Sequence, residues 1–220
     1  VRFPAGDAHR IAPTTISVTQ LTEYGTAYSL DELAAIGEYA KTRNLALHMD
    51  GARFANALVS TGCSPAEMTW KVGVDALSFG ATKNGALAAE AVIFFDKAKA
   101  ESFEIKRKRS GHLLSKLRFM SAQLAAYLKG DLWIRNAQNA NLQAKKIAAL
   151  LEATADCSLA YPVDGNMLFA RIPDVKQNRL KELGFEFYEI PEYGEGIVRM
   201  VTAFNTSNDD VAAIEDVIRN

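Results

Sequence analysis

Short apolar runs alternate along the chain with longer stretches whose apolar residues recur every three or four positions. This reads as strands and helices in turn. Thr14 to Thr19, "TTISVT", is rich in β-branched residues and is stopped by the polar turn "QLTEYGT", as a buried strand would be. In "LDELAAIGEYAKTRN", Leu33, Ile36 and Ala40 recur at helical spacing behind a cap at Ser29 or Asp31, with acids early and bases late. A short strand "LALHMD", a helix "GARFANALVSTG" closed by Gly62, and two further strands, "DALSFGA" and "AVIFFD", complete the first part.

Continuous apolar strands alternating with helices predict a mainly parallel sheet covered on both faces, which binds small molecules at the carboxyl ends of its strands. Asp50 and Lys83 both stand at such ends, so the layout brings a carboxylate and an amine to one sheet edge. From Glu101 the pattern changes to a basic segment running into a long amphipathic helix that ends at Gly130. A second helix, "DLWIRNAQNANLQAKKIAALLEAT", leads into "NMLFARI", "RLKELGF", "GIVRMVTAF" and a last helix capped by Ser207 or Asn208. The expected organisation is a large domain over residues 1–135 and a small C-terminal α/β domain over residues 136–220.

Lys plus Arg number 25 against 26 Asp plus Glu, a formal charge of -1, so no global field favours nucleic acid or an anionic membrane. No apolar run reaches the roughly 20 residues of a spanning helix, and no signal peptide opens the chain. A cytoplasmic location is the expectation. Cys63 and Cys157 have neither CxxC spacing nor the density of a disulfide scaffold, and read as reduced packing residues; no metal site is expected. The chain opens at Val1 and reaches its first strand without a leading element, as the later part of a longer polypeptide would.

Lys83 sits among Gly80, Ala81, Thr82, Asn84 and Gly85, so little side-chain bulk surrounds it. A lysine in a partly desolvated turn has its amine pKa lowered, which suits an imine-forming nucleophile. Asp50 reads either as an N-cap for a helix starting near Gly51 or as half of a pair with Arg53 that grips an aromatic cation and a nearby anion.

"HMDGARFANALVSTGCSPAEM", followed after a strand by "SFGATKNGALAAEAVIFF", resembles the low-specificity threonine aldolases. These are pyridoxal-phosphate lyases of fold type I, and the "KRKRSGHLLSKLRFMSAQ" segment looks like the phenylserine aldolase branch. The resemblance covers essentially the whole chain and implies a large domain, its amino-terminal part absent, with a small C-terminal α/β domain. It implies pyridoxal 5'-phosphate held covalently by Lys83, its ring nitrogen met by Asp50, and Arg53 near its phenolic oxygen and the substrate carboxylate. Arg199 would bind that carboxylate, His9 would approach the substrate hydroxyl, and Thr82 would offer its hydroxyl to the phosphate. The bland readings are an edge arginine, a loop histidine and a turn threonine, respectively. His48, on the same strand face as Asp50, supports the site or is a packed core histidine. Within residues 106–118, Ser115 stands about where the enteric enzymes have an arginine that reaches a neighbouring subunit's phosphate; Lys116 or Arg118 would substitute.

The implied reaction is retro-aldol cleavage of L-threonine, L-allo-threonine or a related β-hydroxy-α-amino acid to glycine and an aldehyde, by a homodimer or homotetramer. Another fold type I reaction, β-elimination or transamination, would use the same lysine and aspartate. A truncated non-catalytic chain kept for oligomer assembly is the alternative from outside enzymology.

Overall fold

The computed structural model describes residues 12–220; His9 lies outside them. Strand β1 (Thr15–Thr19) enters a turn leading to helix α1 (Leu30–Thr42), which starts at a capping box. The Ser29 side chain accepts from the Glu32 amide, and the Glu32 carboxylate accepts from the Ser29 amide. Strand β2 (Ala46–Gly51), helix α2 (Phe54–Thr61) and the short helix α3 (Pro65–Met68) follow, then strands β3 (Ala76–Gly80) and β4 (Glu90–Phe94). Gly62 ends α2 in the left-handed conformation, as the sequence predicts. The four strands form a sheet in the order β1-β2-β3-β4, with β1, β2 and β3 parallel and β4 antiparallel.

The expected cover on both faces is not what the described residues show. Burial alternates along β2, with Leu47, Met49 and Gly51 buried and Ala46, His48 and Asp50 half-buried. Leu47, Met49, Leu77 and Phe79 pack against Leu33 and Ala40 of α1 and against Phe54, Ala57 and Leu58 of α2. The opposite face carries a polar row in which Thr19, Asp50 and Ser78 stand side by side in register. That alternation makes one face of the sheet chemical and the other structural.

Helices α4 (Lys97–Ala100), α5 (Phe103–Arg109) and α6 (Arg118–Leu128) follow β4. The long helix read there is therefore two, broken across residues 110–117, and Gly130 at φ 57 separates α6 from α7 (Leu132–Glu152). Beyond α7 lies a second sheet of short antiparallel strands in the order β5-β6-β8-β7, with α8 (Asp174–Glu182) and α9 (Asn208–Arg219). Its strands are β5 (Ser158–Leu159), β6 (Met167–Arg171), β7 (Tyr188–Glu189) and β8 (Ile197–Val201). Ser207 caps α9 through a capping box with Asp210.

Each sheet has its own apolar cluster, one drawn from residues before α7 and one beginning at Ala144. Asn136, where the sequence divides the chain, falls within the continuous helix α7, which packs on both α2 and α9. Asn56 of α2 and Asn141 of α7 are both buried and bond reciprocally, each amide donating at 2.9 Å to an oxygen of the other residue. A buried amide left unpaired is costly, so this pair fixes the register of α7 against the first sheet. Among the described residues no helix is long and apolar enough to cross a membrane.

Candidate active site

The site begins at the carboxyl end of β2. Asp50 is its penultimate residue, on the polar face, and one carboxylate oxygen accepts from the Ala52 amide at 2.9 Å. That bond closes a turn, so Asp50 is not the helix N-cap: α2 starts only at Phe54, and Arg53 occupies the cap position without a side-chain bond. The second carboxylate oxygen takes no hydrogen bond from the described residues. Gln20 ties the β1 exit to the same strand end. Its backbone amide donates to the Asp50 carbonyl, and its buried side chain bonds both backbone groups of Tyr28. Glu23 is carried in the loop so formed.

Arg53 follows Asp50 by one turn of chain and is half-buried. Its pKa is pushed down chiefly by desolvation and then by the positive charge of Arg199, while Glu23 and Asp50 push it back up. The Nε of Arg53 and the Nε of Arg199 are both buried and without a partner among the described residues. Arg199 comes from β8 of the second sheet, on the face away from α7 and α9. Two guanidiniums brought together with unused donors are mutually destabilising, and an anion between them relieves both the repulsion and the missing hydrogen bonds. The two sheets therefore meet at a place suited to a carboxylate.

Lys83 lies three residues beyond β3, in a 3-10 turn spanning Thr82–Asn84. The turn is held from below. Asn84 is buried and donates to the Tyr127 hydroxyl at 2.6 Å and to the Trp133 carbonyl at 2.8 Å, while the Asn136 amide donates to its carbonyl at 2.9 Å. Gly85 has φ +111, and a Cβ there would stand 2.7 Å from the Asn136 amide nitrogen, so only glycine lets α7 approach this closely. Thr82 faces back into the loop: its hydroxyl accepts from the Ala89 amide at 3.1 Å. The expected desolvation of Lys83 is not observed in the described residues, where its side chain is exposed. Small neighbours leave a lysine open as readily as they enclose it. Its amine forms no salt bridge and no hydrogen bond with the described residues, leaving the nitrogen lone pair uncommitted once deprotonated.

Replacing Asn84 by alanine strands the Trp133 carbonyl and the Tyr127 hydroxyl together. Unfolding stability is expected to fall by about 1–3 kcal/mol, and the Lys83 turn to loosen, which a denaturant titration and amide exchange at residues 81–86 would register.

His48 sits between two serines on the polar face, its Nδ1 2.8 Å from the Ser17 hydroxyl and its Nε2 2.9 Å from the Ser78 hydroxyl. Both ring nitrogens are thus engaged within the sheet, which is the packed and hydrogen-bonded reading of this residue. Lys106, Lys108 and Arg109 of α5 are exposed and Arg107 is half-buried, while Lys116 and Arg118 are exposed. The residues that sequence reasoning missed are Glu23, Asn84 and Tyr188. Tyr188 pairs directly with Arg199 across β7 and β8, its ring centroid 4.6 Å from the guanidinium carbon. A two-residue strand leaves no periodicity to detect.

The sequence model of the beta-eliminating lyases matches residues 2–173. The chain is 41% identical to the low specificity L-threonine aldolase of Pseudomonas aeruginosa over 97% of its own length and 60% of that protein. The structure of Leishmania major threonine aldolase superposes with a TM-score of 0.88 at 28% identity, over 96% of this chain and 62% of that one. A pyridoxal-phosphate-bound putative aminotransferase from Clostridium difficile, 14% identical, superposes at 0.66 over 93% of this chain and 58% of its own, and shares the fold. The chain thus spans about 60% of the length of the relatives it matches.

Proposed function

The chain belongs to the beta-eliminating lyase family, and on that premise we propose a pyridoxal-phosphate-dependent aldolase. It cleaves L-threonine, L-allo-threonine or a related β-hydroxy-α-amino acid into glycine and an aldehyde. The observation that carries this reading is the pair Arg53 and Arg199, each with a buried Nε that has no acceptor among the described residues, with Arg53 feeling the charges of both Arg199 and Asp50.

The residues present fit the cofactor. Lys83 offers an amine with no competing partner among the described residues, Asp50 an unshared carboxylate oxygen, and Arg53 a buried donor without an acceptor. When bound, the cofactor supplies a ring that withdraws the electron pair released at Cα. The chain's own residues orient and hold. Lys83 would hold the cofactor through its amine, and Asp50 would supply the negative charge that keeps a pyridine nitrogen protonated. Arg199 and Arg53 would grip the substrate carboxylate and so fix the orientation of the substrate at the site. His9 takes the proton from the β-hydroxyl, an assignment that rests on its place in the sequence. Thr82 closes the loop that carries Lys83. The protein is cytoplasmic and acts as a homodimer or homotetramer, with the basic stretch 106–118 near the subunit contact.

Incubating the full-length protein and cofactor with L-threonine, L-allo-threonine and phenylserine is expected to give glycine and aldehyde in equal amounts. Ammonia with a 2-oxo acid instead of glycine would assign elimination, and no turnover of any substrate would leave the chain non-catalytic.

A further inference from the structure

We propose that Tyr188 is a positioning residue that holds the Arg199 guanidinium ready for a carboxylate. Arg199 has a cationic neighbour in Arg53, whose own pKa its charge lowers. Its buried Nε has no acceptor, and no carboxylate of the described residues forms a salt bridge with it. A long side chain beside a second cation, with no acceptor among the described residues, is free to swing toward water unless something opposes that motion. Among the described residues, the attractive contact of its charge is the Tyr188 ring, 4.6 Å away.

The contact is built into the sheet. Tyr188 and Arg199 are direct cross-strand partners, so their side chains leave the backbone on the same face. β7 is the edge strand of the order β5-β6-β8-β7, two residues long, and Ile190 continues the pairing, its amide donating to the Ile197 carbonyl at 2.9 Å. On the far side of β8, Arg199 pairs with Phe169, whose ring meets Tyr161 and Tyr193. Arg199 thus has an aromatic residue as its register partner on each neighbouring strand, and its guanidinium lies over the ring of Tyr188. A π-face attracts a cation without using its N–H donors. Tyr188 therefore stabilises the guanidinium while leaving every donor for the incoming anion, which a carboxylate in the same position would not do. Ordering the arginine beforehand reduces the entropy lost when the substrate binds.

This rests on the reading of Arg199 as the carboxylate site, and the test separates the two. Tyr188→Val puts a residue of high strand propensity in its place and removes the ring; Tyr188→Phe keeps the ring and removes the hydroxyl. Calorimetric titration of the full-length holoenzyme with glycine, and with ethanolamine, which replaces the carboxylate by a hydroxymethyl group, reads the carboxylate contribution directly. Tyr188→Val is expected to weaken glycine by about three- to tenfold, the range of a cation–π contact at a partly exposed site, and to leave ethanolamine unchanged. Tyr188→Phe is expected to bind both like the parent. Equal losses for both ligands in Tyr188→Val, or a loss in Tyr188→Phe, would overturn the proposal. Crystal structures of the two variants give a readout independent of ligand and activity: the Arg199 guanidinium holds one position with Phe and spreads over several with Val. A fixed guanidinium in Tyr188→Val would sink the positioning role, whereas a parent protein that binds no glycine would instead sink the functional reading.

Discussion

Lys83→Ala is expected to lose the visible absorbance of lysine-bound pyridoxal phosphate, to show no borohydride-trapped adduct, and to cleave threonine about a thousandfold more slowly or worse. That scale is the one expected when a covalent nucleophile is removed and only binding remains. The fold is expected to survive. The Lys83 side chain is exposed, and the turn around it is held by Asn84, Gly85 and Thr82, none of which uses the lysine. Thermal or denaturant unfolding should therefore stay within about 0.5 kcal/mol of the parent. Lys83→Arg sharpens the result: it keeps a positive charge at the same place, but a guanidinium stays protonated and is a poor nucleophile. If Lys83→Arg retained parental activity, the amine would be acting as a charge, and the covalent reading would fail.

Much of this arrangement is legible along the chain, for reasons that differ from residue to residue. The caps at Ser29 and Ser207 and the stop at Gly62 are local devices, decided within four residues, and they appear where the sequence places them. The alternation of apolar runs with helical patterns gives β1 to β4 because each strand is a short run rich in β-branched and apolar residues, although only β2 and β3 carry several buried residues while β1 buries Val18 alone and β4 none. Asp50 and Lys83 come to neighbouring strand ends for the same reason: strand, helix, strand in parallel order puts every strand's carboxyl end on one edge. The small sheet's edges escaped, since β5 and β7 are two residues each and are held by pairing with β6 and β8. Exposure of Lys83 escaped as well, because small neighbours in sequence say nothing about which elements arrive from elsewhere. The effect of the Arg199 charge on Arg53 is tertiary, joining residues far apart in the chain, at the start of α2 and in β8, and no spacing in the chain encodes it.

Asp50→Asn isolates the charge of this residue from its structural work. Asparagine's carbonyl oxygen accepts from the Ala52 amide just as the Asp50 carboxylate does at 2.9 Å, so the turn into α2 persists and stability is expected to change by less than about 0.5 kcal/mol. What disappears is one of the two negative charges that support the Arg53 guanidinium; Glu23 is the other. In the proposed function, the group that would face the cofactor's ring nitrogen also changes from an ion to a dipole. A carboxylate stabilises a protonated nitrogen in the site's low dielectric far more than an amide does, and loss of such a fixed electrostatic partner slows turnover by about 10²- to 10³-fold. Asp50→Ala removes the acceptor too and is expected to add about 1 kcal/mol of destabilisation to the same catalytic defect. The two variants thus separate what one residue does twice: equal kcat/KM losses with unequal melting curves assign the charge to chemistry and the hydrogen bond to folding. Parental turnover in Asp50→Asn would reduce Asp50 to a turn residue, and the electron-withdrawing ring would then need a different protein partner among the residues around Arg53.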